Sequence, residues 1–338
     1  MALVVANTGR ACADARDADI DEWILKRTDA GADHAAPKRT SHHNRLKAAI
    51  CGVVTAGAAM LHASPSHAID VNSHDWLTAP AGTNFFLNYS IFATRSEYVD
   101  KSGNKIKDGT NLNSFVDVLR YVHFTEIAGF HAVVQGVIPV GTLYDAELGG
   151  VDLGSSSGFG DPVLAAAIWP YTNDQSKTYL AIEPFLTLPL GQYDESKALN
   201  IGENRWKLDL QFGWYQGLTD KVGMQLTYDI IWYGDNDDAA GGSQKLTQDN
   251  THQFQAWLNY DFAPSWNVAV GYQKLMGGDE YLGGVATGNA TDRDQGRLEL
   301  STFVTPTFQI LGDVSHDFRT EGGFAEDFRG TLRLLQIF

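Results

Sequence analysis

The sequence predicts an all-β fold, a transmembrane antiparallel β-barrel of about twelve strands that follows an N-terminal signal peptide. Three observations predict it. Apolar residues alternate with polar ones in segment after segment, which is the period of a strand with one apolar and one polar face. The connections between these segments alternate between short and long, and aromatic residues recur at strand ends on the apolar parity, as in bacterial outer-membrane barrels.

The composition excludes several other classes. The chain has 338 residues, with 41 Asp and Glu against 25 Lys and Arg, so it lacks the clustered basic side chains that neutralise nucleic-acid phosphates. Its 2 cysteines are too few for a disulfide scaffold or a thiolate metal site. The mean hydropathy of −0.21 and the lack of an apolar run of ~18 residues exclude a multi-span helical membrane protein. A barrel stays possible, because a spanning strand needs only ~9–11 alternating residues.

The first 68 residues are predicted to be removed on export. The apolar stretch Ala48–Leu61 follows a basic flank and precedes small residues that end at Ala68, which is the layout of a secretory signal peptide. We assign residues 44–68 to that peptide, with cleavage after Ala68. Residues 1–43 are a polar extension or the result of a start assigned too far upstream. Residues 69–338 are predicted to form the barrel, without any cysteine.

The strand pattern is clearest after Trp206. Trp206, Leu208 and Leu210 share one parity, whereas Lys207 and Asp209 lie on the other. Strands are predicted at 83–94, 112–124, 129–140, 159–170, 177–189, 205–217, 222–233, 251–262, 265–276, 297–304, 307–316 and 328–338. The even number puts both ends of the barrel in the periplasm, with the long connections outside. A soluble β-sandwich or lipocalin-like barrel is the alternative, but aliphatic rather than aromatic residues should then dominate the apolar parity.

The inward parity carries charge in mid-strand, which is typical of a wet lumen. The lumen-lining candidates are Lys207, Asp209, Asp229, Trp257, Glu299, Phe303, Asp313, Arg329 and Arg333. Four of them, Glu299, Asp313, Arg329 and Arg333, fall on the last three predicted strands with opposite signs. We expect these four to pair along the wall as a structural ion-pair ladder, with a charged constriction as the alternative. Trp257 and Phe303 have two possible roles. They offer an apolar surface to a hydrophobic solute, or they fill the lumen.

Two features outside the strands point to partners. Phe338 ends an amphipathic strand and resembles the terminal aromatic signal that outer-membrane assembly machinery recognises. The acidic run 235–238 falls in a predicted external loop. We interpret that run as a solvated loop, with binding of Ca²⁺ or of cation-bridged lipopolysaccharide as the alternative.

Nothing in the sequence indicates catalysis, a cofactor or a metal site. The histidines after residue 68 lack a Gly-x-Ser-x-Gly elbow, and no two of them have metal-ligand spacing. Serines 155–157 lie in a Gly-rich stretch that we interpret as a flexible linker. We therefore expect no enzyme and no cofactor.

Several motifs resemble those of a known family. They are Gly158-Phe159-Gly160-Asp161, Leu188-Pro189-Leu190-Gly191-Gln192-Tyr193-Asp194, Asn200-Ile201-Gly202-Glu203-Asn204-Arg205-Trp206 and Gly217-Leu218-Thr219-Asp220-Lys221. They resemble the transporter-like outer-membrane β-barrel proteins named for the meta-pathway of phenol degradation (MetA type). The likeness extends from about Ala81 to Phe338. One departure follows Trp206, where the family often has a proline and this chain continues Lys207-Leu208-Asp209.

The resemblance implies a barrel of Gram-negative bacteria that metabolise aromatic compounds. The expected function is passive uptake of small hydrophobic or aromatic molecules, and the alternatives are an outer-membrane lipid-modifying or hydrolytic enzyme and a surface-binding structural barrel. The expected partners are outer-membrane lipid and lipopolysaccharide, the assembly machinery and the solute, with no nucleic acid.

Overall fold

A computed structural model describes residues 70–338, in which twelve antiparallel strands close into a barrel. The barrel strands are β1 (Asn84–Arg95), β2 (Asn111–Ile127), β3 (Phe130–Leu148), β4 (Val163–Asn173), β5 (Thr178–Thr187), β6 (Lys207–Gly217), β7 (Val222–Tyr233), β8 (Thr251–Ala263), β9 (Trp266–Gly277), β10 (Asp292–Thr305), β11 (Phe308–Glu321) and β12 (Phe328–Ile337). Each strand pairs with the next one along the chain. In the described part of the chain, no helix is long and apolar enough to cross a membrane.

The first and last strands close the ring. Phe85 of β1 pairs with Ile337 of β12, and the register continues to Thr94 and Phe328. At the end of this seam the N–H of Asn84 donates to the carbonyl oxygen of Phe338 at 2.9 Å. Both ends of the barrel therefore lie on the side of the short turns, as the even strand number predicts.

All twelve predicted strands are present, and four of them differ by four residues or more at the loop side. Strand β11 continues to Glu321 rather than 316. Strand β3 continues to Leu148 and forms a hairpin with Val151–Phe159, where the sequence predicted a long loop. The interpretation of serines 155–157 as a flexible linker is therefore wrong, because all three lie in this strand and Ser156 and Ser157 pair with β3. Strand β10 begins at Asp292 rather than 297, and β4 begins at Val163 rather than 159. The hairpin strand Val151–Phe159 was not predicted because it is rich in glycine and serine, whereas the strand signal depends on alternating apolar side chains.

The two faces of the wall differ as the parity predicts. Outward-facing Leu298, Leu300 and Leu332 are about half exposed, whereas Glu299 between the first two is fully buried. Aromatic side chains at strand ends, such as Trp206 and Trp266, are exposed on the outer surface. This is the arrangement of an interfacial girdle around a lipid-facing band.

The long connections fold into a cap over one end of the barrel. They form a small sheet of Gly323–Ala325, Glu97–Val99 and Lys105–Ile106, and another of Asn236–Asp238, Gln244–Gln248, Glu280–Leu282 and Val285–Ala286. A short helical turn, Ala239–Gly242, completes the second sheet. An apolar cluster that includes Tyr98, Leu112, Leu143, Leu199 and Phe324 lies beneath these loops. The cap therefore has a core of its own.

Candidate transport lumen

The lumen is occupied by the segment that precedes the first strand. Residues 70–79, here called the plug, pass through the barrel interior before β1 begins. The indole of Trp76 is 2% exposed, and its Nε1 donates to Thr227 Oγ1 on β7 at 2.7 Å. In return, Trp169 Nε1 donates to the carbonyl of Trp76 and Trp257 Nε1 donates to that of Val71, both at 3.0 Å. Three indole N–H groups thus fasten the plug backbone and side chain to the wall.

Charged side chains anchor the plug on another part of the wall. Arg329 Nη1 lies 2.9 Å from a carboxylate oxygen of Asp70, and Arg333 Nη1 lies 3.0 Å from one of Asp75. Both arginines are on β12. An isolated buried charge is costly, and a paired, hydrogen-bonded one is tolerated. The two arginines and the two plug carboxylates therefore satisfy each other's charge.

Two polar plug residues between Asp70 and Asp75 donate hydrogen bonds to a carboxylate on β10. Asn72 Nδ2 donates to Glu299 Oε2 at 2.9 Å, and the hydroxyl and backbone N–H of Ser73 also donate to that carboxylate. Glu299 is fully buried. The plug thus supplies the donors that a buried carboxylate on β10 requires.

The predicted lumen residues on the last strands lie inside the barrel, but they have other partners. Register places Glu299 opposite Asp313, and Arg329 and Arg333 on the next strand. Asp313 lies 3.5 Å from Arg297 Nε rather than from a β12 arginine. Arg329 bonds Glu326 and the plug, and Arg333 and Glu299 bond the plug. None of the four forms an ion pair or hydrogen bond with another of the four, so the expected ladder among them is wrong. Their partners are instead the plug, Arg297 and Glu326, because the plug brings its own charged and polar groups to the wall.

The other five lumen-lining candidates lie at three different places in the barrel. Lys207, Asp209 and Asp229 are buried on β6 and β7, and Lys207 Nζ lies 2.8 Å from Glu203 Oε1. Trp257 is 2% exposed, and its ring packs against Gly271 and under the guanidinium of Arg297. Phe303 lies at the short-turn mouth, where it lines a cavity and is 38% exposed.

A loop closes the external end through one carboxylate. Asp161 accepts the backbone N–H of Gly191 at 2.8 Å and that of Glu203 at 2.7 Å. The backbones meet so closely that a Cβ at Gly191 would lie 2.6 Å from the carbonyl carbon of Gly160, and one at Gly202 would lie 2.8 Å from that of Gly191. These residues belong to the motifs that carry the family resemblance. The motifs therefore encode a fold of residues 188–206 against residues 160–161, just before β4.

A second cluster ties the cap to the wall. Glu326 is fully buried and contacts Arg95, Arg329 and, at 3.6 Å, Arg293. Burial opposes ionisation of this carboxyl group, but the three guanidinium groups outweigh it and hold the pKa of Glu326 well below its usual range. The cluster joins β1, β10 and β12 at their external ends.

Among residues 70–338, two cavities lie on either side of the plug. The larger one, of about 680 Å³, opens at the short-turn end, and the smaller one, of about 190 Å³, lies below the cap. On the side of β1 to β5 the smaller cavity is lined by apolar side chains that include Ile91, Ala93, Val116, Val118, Val137 and Phe185, whereas charged side chains such as Asp209, Arg297 and Asp313 line the opposite side. Arg120 lines both cavities. It therefore marks the junction between them.

Sequence reasoning missed the plug altogether. Residues 70–79 have no strand or helix periodicity, and a short polar stretch before the first strand reads as a linker. The signal that was available is Trp76 within that polar stretch, because tryptophan is seldom left in solvent. The sequence also did not single out Arg120 or Glu326, and it indicated Asp161 only as the last residue of a family motif.

Of the remaining predicted sites, the structure shows the position of Phe338 but does not describe the region of the predicted signal peptide. Phe338 is exposed, with its ring 6.4 Å from that of Tyr121, and its recognition by the assembly machinery stays a prediction. The cleavage site at Ala68, the signal peptide 44–68 and the extension 1–43 lie outside the described residues. Within residues 70–338, no group of three or more His, Cys, Asp or Glu side chains is arranged to hold a metal ion.

Comparisons with known proteins give a family match and a strong structural match. The family model described as "Putative MetA-pathway of phenol degradation" matches residues 96–334. The COG4313 outer membrane channel from Pseudomonas putida F1 is 30% identical, with a TM-score of 0.76, and the match covers 80% of this chain and 100% of that one. No curated protein matches the chain.

More distant barrels are also similar in form. The transport unit of the autotransporter AIDA-I from Escherichia coli is 8% identical with a TM-score of 0.44, and the match covers 85% of this chain and 97% of that one. The translocator domain of NalP from Neisseria meningitidis is 11% identical with a TM-score of 0.43, covering 88% and 96%. No functional conclusion follows from similarity at this level.

Proposed function

Because the chain belongs to this phenol-degradation family of outer-membrane β-barrels, we propose that it is a channel for passive uptake of small hydrophobic or aromatic compounds. The related Pseudomonas putida protein is an outer membrane channel by name. We extend that activity to this chain, and the solute moves down its own gradient. The relationship to a channel disfavours a lipid-modifying or hydrolytic enzyme.

One observation carries the proposal, namely a filled lumen with cavities above and below the filling that each have an apolar wall. A channel for hydrophilic solutes needs a continuous wet path lined by polar groups. Here the plug bonds to strands on several sides of the lumen, and apolar side chains line much of both cavities. An apolar solute gains free energy by leaving water for such surfaces. The arrangement thus favours hydrophobic over hydrophilic solutes.

The wall offers an entry that avoids the capped mouth. The upper half of β3 does not pair with β4 but with the hairpin strand Val151–Phe159, whose other edge pairs with no strand among residues 70–338. Strand β5 ends at Thr187, and β6 does not begin until Lys207. The loop of residues 188–206 covers part of this gap, because the N–H of Gln192 donates to the carbonyl oxygen of Phe159 at 2.8 Å. We place the solute's entry between the hairpin and this loop, beside the smaller cavity.

The proposal includes export and assembly. Cleavage after Ala68 would release a mature chain that begins one residue before the plug. The terminal Phe338 would be recognised by the assembly machinery, and the exposed outer band would contact lipid and lipopolysaccharide. Its exposed aromatic ends support a place in the outer membrane.

Uptake by whole cells tests the function. A Gram-negative host that expresses the barrel should accumulate toluene and phenol faster than the same host with an empty vector, whereas purified barrels in liposomes should pass arabinose poorly. If the host with the barrel in its outer membrane accumulates toluene and phenol no faster than the empty-vector host, the transport proposal is wrong. Removing residues 234–250 should leave uptake unchanged, and a loss of surface binding instead would favour the surface-binding barrel.

A further inference from the structure

The larger cavity has an aromatic wall. The rings of Phe85 and Phe124 meet edge to face at 4.8 Å, and Phe124 stacks on Trp169 at 6.4 Å with an interplanar angle of 26°. All three side chains line the cavity. Trp169 Nε1 is already bonded to the plug, so its ring rather than its N–H is available. A planar aromatic guest can add to this wall by stacked or edge-to-face contact.

A buried polar trio lies at the inner end of the same cavity. Arg120 Nε donates to Gln135 Oε1, and Gln135 Nε2 donates to Glu183 Oε1. These three side chains also line the cavity, and they come from β2, β3 and β5. The trio therefore lies where the larger cavity meets the smaller one at Arg120.

The carboxylate of Glu183 retains capacity to bind a donor. It is 4% exposed, and among the described residues Gln135 is the one that donates a hydrogen bond to it. The two oxygens of this side chain have more acceptor lone pairs than the one bond from Gln135 uses. A buried carboxylate that faces a cavity with acceptor capacity to spare is suited to a guest that brings its own donor.

We propose that the larger cavity is a binding site for hydroxylated aromatics, with the ring on Phe85, Phe124 and Trp169 and the hydroxyl group donating to Glu183. The inference rests on the proposed uptake function and narrows its solute class to phenols over aromatic hydrocarbons and ethers. Gln135 positions the carboxylate, and Arg120 positions Gln135. A site built to bond a hydroxyl group discriminates against an analogue that lacks it, because the buried polar group is then left unpaired.

Phenol and anisole separate this site from general apolar binding. The two have similar rings, but anisole cannot donate a hydrogen bond. Binding to the purified full barrel in lipid nanodiscs is measured by calorimetry and corrected with empty nanodiscs. Phenol should bind about tenfold more tightly than anisole, which is the order of magnitude of one hydrogen bond that anisole cannot make.

Two variants with matched controls assign the interactions. Glu183→Gln should reduce the preference for phenol to about twofold, because a neutral acceptor makes a weaker bond, while the affinity for anisole stays unchanged. Phe124→Leu should weaken both ligands to a similar extent. The controls are Glu126→Gln at an exposed short turn and Phe318→Leu on the outer surface, and both should match the wild type.

The outcomes are distinguishable from those of the uptake test. Equal affinities of the wild type for phenol and anisole, or an undiminished preference in Glu183→Gln, would overturn the site even if cells take up both compounds. A phenol preference that depends on Glu183 supports the site even if uptake is unchanged, and only the transport proposal would then fail.

Discussion

The indole ring of Trp76 lies directly over the backbone of Gly213, where any larger side chain would overlap the ring. Gly213 is on β6, and Trp76 is in the plug, which precedes the first strand and is far from Gly213 along the chain. The same relationship recurs between Trp257 and Gly271. Glycine on the inner wall is thus what leaves room for a tryptophan inside a barrel of twelve strands.

Gly213→Ala should therefore displace the plug. The added methyl group would overlap the Trp76 ring, and overpacking of this kind costs ~1–3 kcal/mol. We expect a lower urea midpoint and a higher, noisier single-channel conductance. Gly312→Ala is the matched control, because a Cβ there meets nothing within 4 Å. Conductance that stays at the wild-type level in Gly213→Ala would mean that the plug does not limit ion flow.

Asp75→Asn should loosen the plug at its charged anchor. The change leaves Arg333 with Asn72 and Gln309 but without a carboxylate partner, and we expect a loss of ~1–3 kcal/mol in the free energy of unfolding. Single-channel recordings should show more frequent openings. Asp220→Asn removes an ion pair whose carboxylate is fully exposed, so that variant should behave as the wild type.

The Glu326 cluster should make stability depend on pH. The pKa of this group is depressed in the folded state, so its contribution is fully present above the pKa of an ordinary glutamate. The contribution is lost as the pH falls below that value toward the folded-state pKa. Unfolding in urea at pH 7 and pH 4 measures it. Glu326→Gln should be less stable at pH 7 and should lose less on acidification than the wild type. An identical loss in both proteins would assign the pH dependence to other groups.

Mass spectrometry of the exported barrel checks its start. Cleavage after Ala68 should yield a chain that begins at Ile69, which keeps the whole plug with one residue in front of Asp70. Ala68→Phe should block processing, because the position before the cut requires a small side chain. His67→Ala should be processed normally. A mature chain that starts beyond Asp75 would contradict both the cleavage site and the anchored plug.

The strands were predictable because their signal is local. A side chain in a strand faces the side opposite to that of its neighbour, so lipid on one side and an interior on the other produce an alternation that can be read from consecutive residues. Trp206 to Trp214 illustrates this. The hairpin at Val151–Phe159 was not predictable in the same way, because glycine and serine carry little of that contrast.

The candidate residues show the same limit. That Glu299 and Asp313 face each other inside the barrel follows from strand register. Their partners did not follow, because Ser73 and Asn72 are more than 220 residues away from Glu299 along the chain. No periodicity connects the plug to β10 or β12.

The sequence by itself determined the fold class, the number of strands, the inward and outward faces and the family. Only the tertiary structure decided that the lumen is filled, that its charges are satisfied by the plug, and that aromatic rings and a buried carboxylate share one cavity. The physical reason is that facing direction depends on the nearest neighbours in the chain. The contents of a closed interior depend instead on which distant segments enter it and find hydrogen-bond and charge partners there.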